Sequence, residues 1–114
     1  MEGCIFCGII NKDIPARIVH EDDEVLAFED INAKAPVHIL IIPKEHIGSL
    51  NDLPKDREPL LGRILAKARA IAAERGILKS GYRIVLNTGP DSGQEVFHIH
   101  VHLLGGRRMT WPPG

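Results

Sequence analysis

From residue 97 to 103, apolar and imidazole side chains alternate strictly, and Leu104 closes the run. Phe97, Ile99, Val101 and Leu103 fall on one parity and His98, His100 and His102 on the other. In an extended strand the two parities face opposite ways. The spacing therefore predicts a strand with the three histidines on one face and Phe97, Ile99, Val101 and Leu103 buried on the other. Residues 37–42 (VHILII) are almost continuously apolar and β-branched, which suits a central, well-covered strand closed by Pro43. Residues 17–21 and 24–29 form two shorter runs around Asp22-Asp23, a predicted hairpin, and residues 82–87 (YRIVLN) form a further strand.

Two stretches carry helical spacing. Residues 4–11 (CIFCGIIN) predict one or two helical turns packed on the sheet, ended by Lys12-Asp13-Ile14-Pro15. Acidic residues and prolines across residues 52–59 signal a helix start. Leu60, Leu61, Ile64, Leu65, Ala68, Ile71 and Ala72 then repeat along one amphipathic helix to about residue 73, with Gly76 as its end cap. Residues 105–114, with Trp111 and two prolines, predict an irregular tail. The sum is an α+β fold: a five-stranded, mostly antiparallel sheet with one long and one short helix, covered by helix on one face. No repeat or linker divides the 114 residues, so one domain is expected, with residues 1–104 as core and 105–114 as tail. So small a chain with one long helix leaves apolar surface uncovered, which predicts a homodimer.

Composition narrows the function classes. Hydrophobic content of 44% and charged content of 25% are ordinary for a soluble globular protein. A net charge of −1 argues against a nucleic-acid binder that relies on a basic surface. No apolar run reaches membrane-spanning length and no secretory pattern opens the chain, so a cytoplasmic protein is expected. The only two cysteines, Cys4 and Cys7, form a Cys-x-x-Cys pair. In a reducing compartment that spacing points to a metal site or a redox pair.

Exposed strand faces rarely choose imidazole repeatedly, so three histidines in alternation mark a site. Such rings can converge on zinc, or one of them can act as a nucleophile with its neighbours as helpers. Just upstream, Asn87-Thr88-Gly89 and Gly93-Gln94-Glu95-Val96 supply glycines that let backbone N–H groups approach a ligand and cradle an anion. An anion-binding loop leading into a histidine strand suggests attack on a phosphate.

The motif His98-Ile99-His100-Val101-His102-Leu103-Leu104 resembles the signature of the histidine triad family of nucleotide-binding proteins, His-φ-His-φ-His-φ-φ with φ apolar, at every position. The similarity covers most of the chain. Ile14-Pro15-Ala16-Arg17, Asp22-Asp23, Ala27-Phe28, Asp30-Ile31, Ala35-Pro36, Ile41-Ile42-Pro43-Lys44, Gly105-Gly106-Arg107 and Trp111-Pro112-Pro113-Gly114 all look like its Hint branch.

The resemblance implies binding of a purine nucleotide and cleavage at its α-phosphorus. His100 would form the nucleotidyl-histidine intermediate, with His102 donating to phosphate oxygens or relaying a proton to the leaving amine. His38 would support the nucleophile and His98 would stand beside it. Asp30 would accept hydrogen bonds from the ribose, and Ile5, Phe6, Ile9, Phe28 and Ile31 would line a slot for the base. Asn87, Gly93, Gln94 and the Glu95 and Val96 backbone would hold the phosphate. Glu95 stands where animal Hint proteins often have serine, so only the backbone donor carries over there. By similarity to some bacterial members, Cys4, Cys7, His46 and His98 would hold a structural zinc. The Trp111 tail would cross a dimer interface, with the helix near residues 60–73 and its adjoining strand supplying the contact. The implied activity is a purine nucleoside phosphoramidase. A dinucleoside polyphosphate hydrolase and a nucleotide-sensing module without turnover are the alternatives.

Overall fold

The computed structural model describes residues 3–114. The chain runs α1 (Ile5–Ile10), β1 (Ile18–Glu21), β2 (Val25–Glu29), β3 (Val37–Pro43), α2 (Glu58–Glu74), β4 (Tyr82–Val85) and β5 (Val101–Gly105). Single 3₁₀ turns at Leu50–Asp52, Lys55–Arg57 and Pro90–Ser92 interrupt the connections. The five strands form one sheet in the order β1-β2-β3-β5-β4, and every neighbouring pair is antiparallel.

The hairpin forms where Asp22-Asp23 placed it. Asp22 Oδ1 accepts the backbone N–H groups of Glu24 and Val25 at 2.8 and 2.9 Å, an Asx turn that closes β1 onto β2. β3 is buried along its whole length because both of its faces are covered. Its odd positions Val37, Ile39 and Ile41 join Val25, Ala27, Val101 and Leu103 against Leu60, Ile64, Ala68, Ile71 and Ala72 of α2. Its even positions Leu40 and Ile42 pack with Leu26 and Phe28 beneath Phe6 and Ile9 of α1. Helix therefore covers both faces, the long one on one side and the short one on the other, where the sequence predicted cover on one. Small as it is, α1 closes the side that carries the histidines.

α2 begins two residues earlier than its apolar repeat, with Pro59 in the first turn, where a missing N–H costs nothing. It ends as Gly76 predicted. Gly76 adopts φ +71° and donates to Ala73 O at 3.1 Å, while Ile77 N–H reaches Ala72 O at 3.0 Å. That is a Schellman closure, and it tucks Ile77 into the core below the sheet.

The histidine segment departs from expectation at its start. Regular pairing of β5 begins only at Ile41↔Val101, and β3 ends at Pro43, so no strand residue stands opposite Phe97. The parity of residues 98–104 survives: Ile99, Val101 and Leu103 are in the α2-side core. Phe97 is not; its side chain is 61% exposed. Among the described residues, no helix is long and apolar enough to cross a membrane.

Candidate active site and metal centre

Three elements bring the histidines together. β5 carries His102, its irregular lead-in carries His98 and His100, and β3 supplies His38. In the β3–β5 register Leu40 faces His102 and His38 faces Leu104, so His38 and His102 are diagonal neighbours on one face. The ring of Phe6, from α1, stands edge-on to His100 at 5.0 Å and to His98 at 5.9 Å.

Backbone groups fix which ring nitrogen carries each proton, since a carbonyl can only accept and an N–H can only donate. His100 Nδ1 is 2.8 Å from the His98 carbonyl oxygen, so Nδ1 carries the proton and Nε2 keeps its lone pair. His98 Nε2 is 2.8 Å from the Pro43 carbonyl oxygen, which leaves His98 Nδ1 as the lone pair. The Lys34 N–H donates to His38 Nδ1 at 3.0 Å, so His38 carries its proton on Nε2 and donates it to His102 Nδ1 at 2.9 Å. His102 Nε2 is thereby an N–H donor.

Burial lowers the proton affinity of His38, His98 and His100 below the usual imidazole value. His102 is pulled down to about 4, by burial first and then by His100 and His38 beside it. At neutral pH these rings are uncharged, as a nucleophile and a neutral donor require.

The same shifts tie stability to pH. His38 and His102 stay neutral in the fold while an unfolded imidazole, near 6.5, takes up a proton. Their contribution is complete above about pH 6.5 and is lost as the pH falls towards the folded value. The melting temperature is expected to drop between about pH 6.5 and about pH 4, and His102→Gln is expected to flatten that drop. Identical pH slopes for the two proteins would contradict this assignment.

A second constellation gathers around His98. Cys4 caps α1, its sulfur accepting the Cys7 N–H at 3.4 Å, which turns both sulfurs to the same side. His98 Nδ1 lies 3.5 Å from Cys4 Sγ, 3.6 Å from Cys7 Sγ and 3.2 Å from His46 Nδ1, and Cys7 Sγ lies 3.3 Å from His46 Nδ1. A tetrahedron with Zn–S near 2.3 Å and Zn–N near 2.0–2.1 Å has edges of about 3.3–3.8 Å. These four separations, 3.2–3.6 Å, lie at or just below those edges, and the Pro43 carbonyl already holds the far nitrogen of His98 as metal-bound histidines are held. Burial pushes the Cys7 thiol up, so a thiolate there needs a cation beside it. Ligand atoms of Asp30, His38 and His102 also lie within 4.8 Å of one another. There the Lys34 N–H commits His38 Nε2 to a proton aimed at its neighbours, so that trio is a hydrogen-bonded chain and not a metal set.

The loop before the histidines is built to leave donors free. Gly89 and Gly93 hold φ of +82° and +83° around the turn at Pro90–Ser92. Gln94 is buried and staples that turn: its Oε1 accepts the Gly89 N–H at 2.9 Å, and its Nε2 donates to Gly48 O at 2.9 Å and Val96 O at 3.1 Å. The Glu95 and Val96 backbone N–H groups have no hydrogen-bond partner among the described residues. Gln94→Ala strands three polar groups and is expected to cost roughly 1–3 kcal/mol, read as a melting temperature lower by several degrees. An unchanged melting temperature would show that the staple is dispensable.

The remaining sequence-predicted residues scatter. Phe6, Ile9 and Phe28 are buried in the α1-side core, with Val96 packed against it, whereas Ile5 is 55% and Ile31 93% exposed. Asp30 joins the chain of rings, with Oδ2 3.4 Å from His38 Nε2 and Oδ1 accepting the Asn32 N–H at 2.8 Å. Asn87 and Glu95 flank the stapled turn, half-buried and exposed respectively. Trp111 is not brought to the histidines of its own chain. It is 80% exposed, 6.0 Å over the Arg83 guanidinium on the edge strand β4. The groups that sequence reasoning missed are the Pro43 and His98 carbonyls and the Lys34 N–H, backbone atoms with no side-chain signature.

Comparison with known proteins places the chain in a defined neighbourhood. A family model described as "Scavenger mRNA decapping enzyme C-term binding" matches residues 3–110. A HIT-like protein of Synechococcus elongatus is 54% identical over 113 residues, 99% of this chain and 98% of that one. A 14 kDa zinc-binding protein of Zea mays is 55% identical over 113 residues, 96% of this chain and 87% of that one. The crystal structure of a HIT family hydrolase from Legionella pneumophila superposes with a TM-score of 0.96 at 53% identity, over 98% of this chain and 100% of that one.

Proposed function

The chain belongs to the histidine triad (HIT) family, and from that premise we propose that it is a nucleotide hydrolase of the Hint type, cleaving purine nucleoside phosphoramidates at the α-phosphorus. The observation that carries this is His100. Its Nδ1–H is tied to the His98 carbonyl at 2.8 Å, which leaves a neutral, buried Nε2 as the free nucleophile.

Nε2 of His100 attacks phosphorus, the new N–P bond forms, and the P–N bond to the amine breaks as the amine takes a proton from solvent water; the attacking water of the second step later returns that proton to solvent. The His98 carbonyl stabilises the positive charge that develops on the imidazole. Neutral His102 donates Nε2–H to a non-bridging phosphate oxygen, and the Glu95 and Val96 amides, without a partner among the described residues, offer further donors. Water then cleaves the nucleotidyl-histidine and returns His100, so one hard displacement is divided into two easier ones. Asp30 accepts from the ribose hydroxyls, with Phe6, Ile9 and Phe28 under the base and Ile5 and Ile31 at its rim. Asn87, Gly93 and Gln94 shape the phosphate loop.

Cys4, Cys7, His46 and His98 hold a structural zinc, in keeping with the spacing of their donor atoms and the name of the maize relative. With all four positions protein-derived, the ion would anchor α1 to the catalytic segment and leave no place for substrate. Leu65 on α2 and Ile84 on β4 are exposed apolar residues that suit the dimer contact, across which the partner's Trp111 tail would approach this site.

Incubation with an adenosine phosphoramidate separates catalysis from nucleotide sensing. Multiple-turnover AMP release supports the hydrolase, and AMP binding without release would favour the sensor. Faster cleavage of a diadenosine polyphosphate would redirect the assignment within the family.

A further inference from the structure

The chain of rings that ends at His102 is held from outside the site. β5 finishes at Gly105, and Gly106 turns the backbone at φ +88°, where a Cβ would come within 2.9 Å of Pro36 Cβ. The tail thus folds back against Pro36 and Lys34, and Arg107 Nε donates to the Lys34 carbonyl oxygen at 2.9 Å, while its Nη1 donates to Arg108 O at 3.1 Å. Lys34 is also the residue whose N–H donates to His38 Nδ1 at 3.0 Å. We propose that Arg107 is a positioning residue: by clamping the Lys34 backbone it holds His38 in its Nε2–H tautomer and so keeps His102 Nε2 a hydrogen donor. The proposal rests on the reading in which His102 serves the phosphate.

The logic is one of proton placement. The Lys34 N–H is the group that makes Nδ1 the acceptor of His38, and it sits in a surface loop whose other side-chain tie is Asp30 Oδ1 to the Asn32 N–H. If Lys34 drifts, the Nε2–H form of His38 keeps only the longer Asp30 Oδ2 contact at 3.4 Å in its favour, and the Nδ1–H form gains population. Its Nε2 then faces His102 Nδ1 lone pair to lone pair at 2.9 Å, an arrangement relieved only when His102 moves its own proton to Nδ1. Each ring keeps one proton, but His102 Nε2 becomes an acceptor and its donor to the phosphate is gone. Arg107 is exposed, so its hydrogen bond competes with water and the effect is graded, not absolute.

The test is nitrogen-15 NMR of the histidine rings in the intact protein, paired with steady-state kinetics. In the native protein His38 and His102 are expected to carry their protons on Nε2. Arg107→Ala is expected to raise the Nδ1–H population of both rings and to lower kcat about three- to tenfold with little change in KM. Arg107→Lys, which keeps a donor, is expected to restore most of both. A native His38 protonated on Nδ1, or Arg107→Ala spectra with unaltered tautomers, would overturn the proposal. Should Arg107→Ala fail to fold, the native and Arg107→Lys spectra decide alone, since unequal tautomers with equal kcat would also refute it. His102→Ala separates the two ideas. If it leaves turnover intact while Arg107→Ala still shifts the tautomers, the phosphate role of His102 fails and the clamp stands.

Discussion

Replacing His100 by alanine is expected to reduce AMP release from an adenosine phosphoramidate by on the order of 10⁴-fold or more while leaving the fold intact. The size follows from the lack of a substitute. His98 Nε2 is bound to the Pro43 carbonyl and its Nδ1 faces the two sulfurs and His46. His102 Nδ1 accepts from His38, and its Nε2 bears a proton. Of the three histidines of the motif, only His100 presents an unprotonated nitrogen with no hydrogen-bond partner among the described residues. Its ring packs on Phe6, so the variant also loses a contact and melts somewhat lower, but AMP binding should persist. His102→Ala should cost far less, because one neutral donor among several is removed and not the atom that bonds to phosphorus. Equal losses for the two variants would place the chemistry elsewhere.

The second large effect concerns the proposed zinc. Purified protein is expected to hold one zinc per chain, and Cys7→Ser to lose it together with stability on the order of 3 kcal/mol or more. In a domain of this size that lowers the melting temperature by roughly 10 °C. The cost is large because the four donors come from three separate places: Cys4 and Cys7 at the start of α1, His46 after β3, and His98 before β5. Without the ion, a buried thiol and two imidazoles face each other with nothing between them, and α1 loses its anchor beside Phe6. A strong chelator should reproduce the shift in the native protein and leave Cys7→Ser unmoved. Metal-free native protein that melts at the same temperature with and without chelator would dismiss the site.

Much of this was legible because two periodicities carry it. The period of two in residues 98–104 survives even where the backbone leaves the ladder, since Ile99, Val101 and Leu103 still need the α2-side core. The helical repeat from Leu60 to Ala72 and the Gly76 cap mapped directly onto α2. Phe97 failed because parity says which face a residue takes only where a partner strand exists, and β3 stops at Pro43. The α1-side cluster was legible only in part. Phe6, Ile9 and Phe28 are buried in it, but hydrophobicity alone could not show that Ile31 stands in solvent. Trp111 likewise reads as a contact residue, and what it stacks on within this chain, Arg83, has no signal in the pattern. The cysteines and histidines announced a candidate ligand set by type, and only the fold could bring the donor atoms of residues 4, 7, 46 and 98 within 4.8 Å of one another. Least legible were the tautomers, set by carbonyl and amide groups that every residue possesses.

The most direct measurement is a rapid acid-free quench of the enzyme turning over a phosphoramidate, followed by mass spectrometry of the peptide that spans the three histidines. A nucleoside monophosphate mass on His100, formed and lost at rates compatible with turnover and absent from His100→Ala, is the predicted result. Full turnover with no such adduct, or an adduct on His98 or His102 instead, would contradict the account.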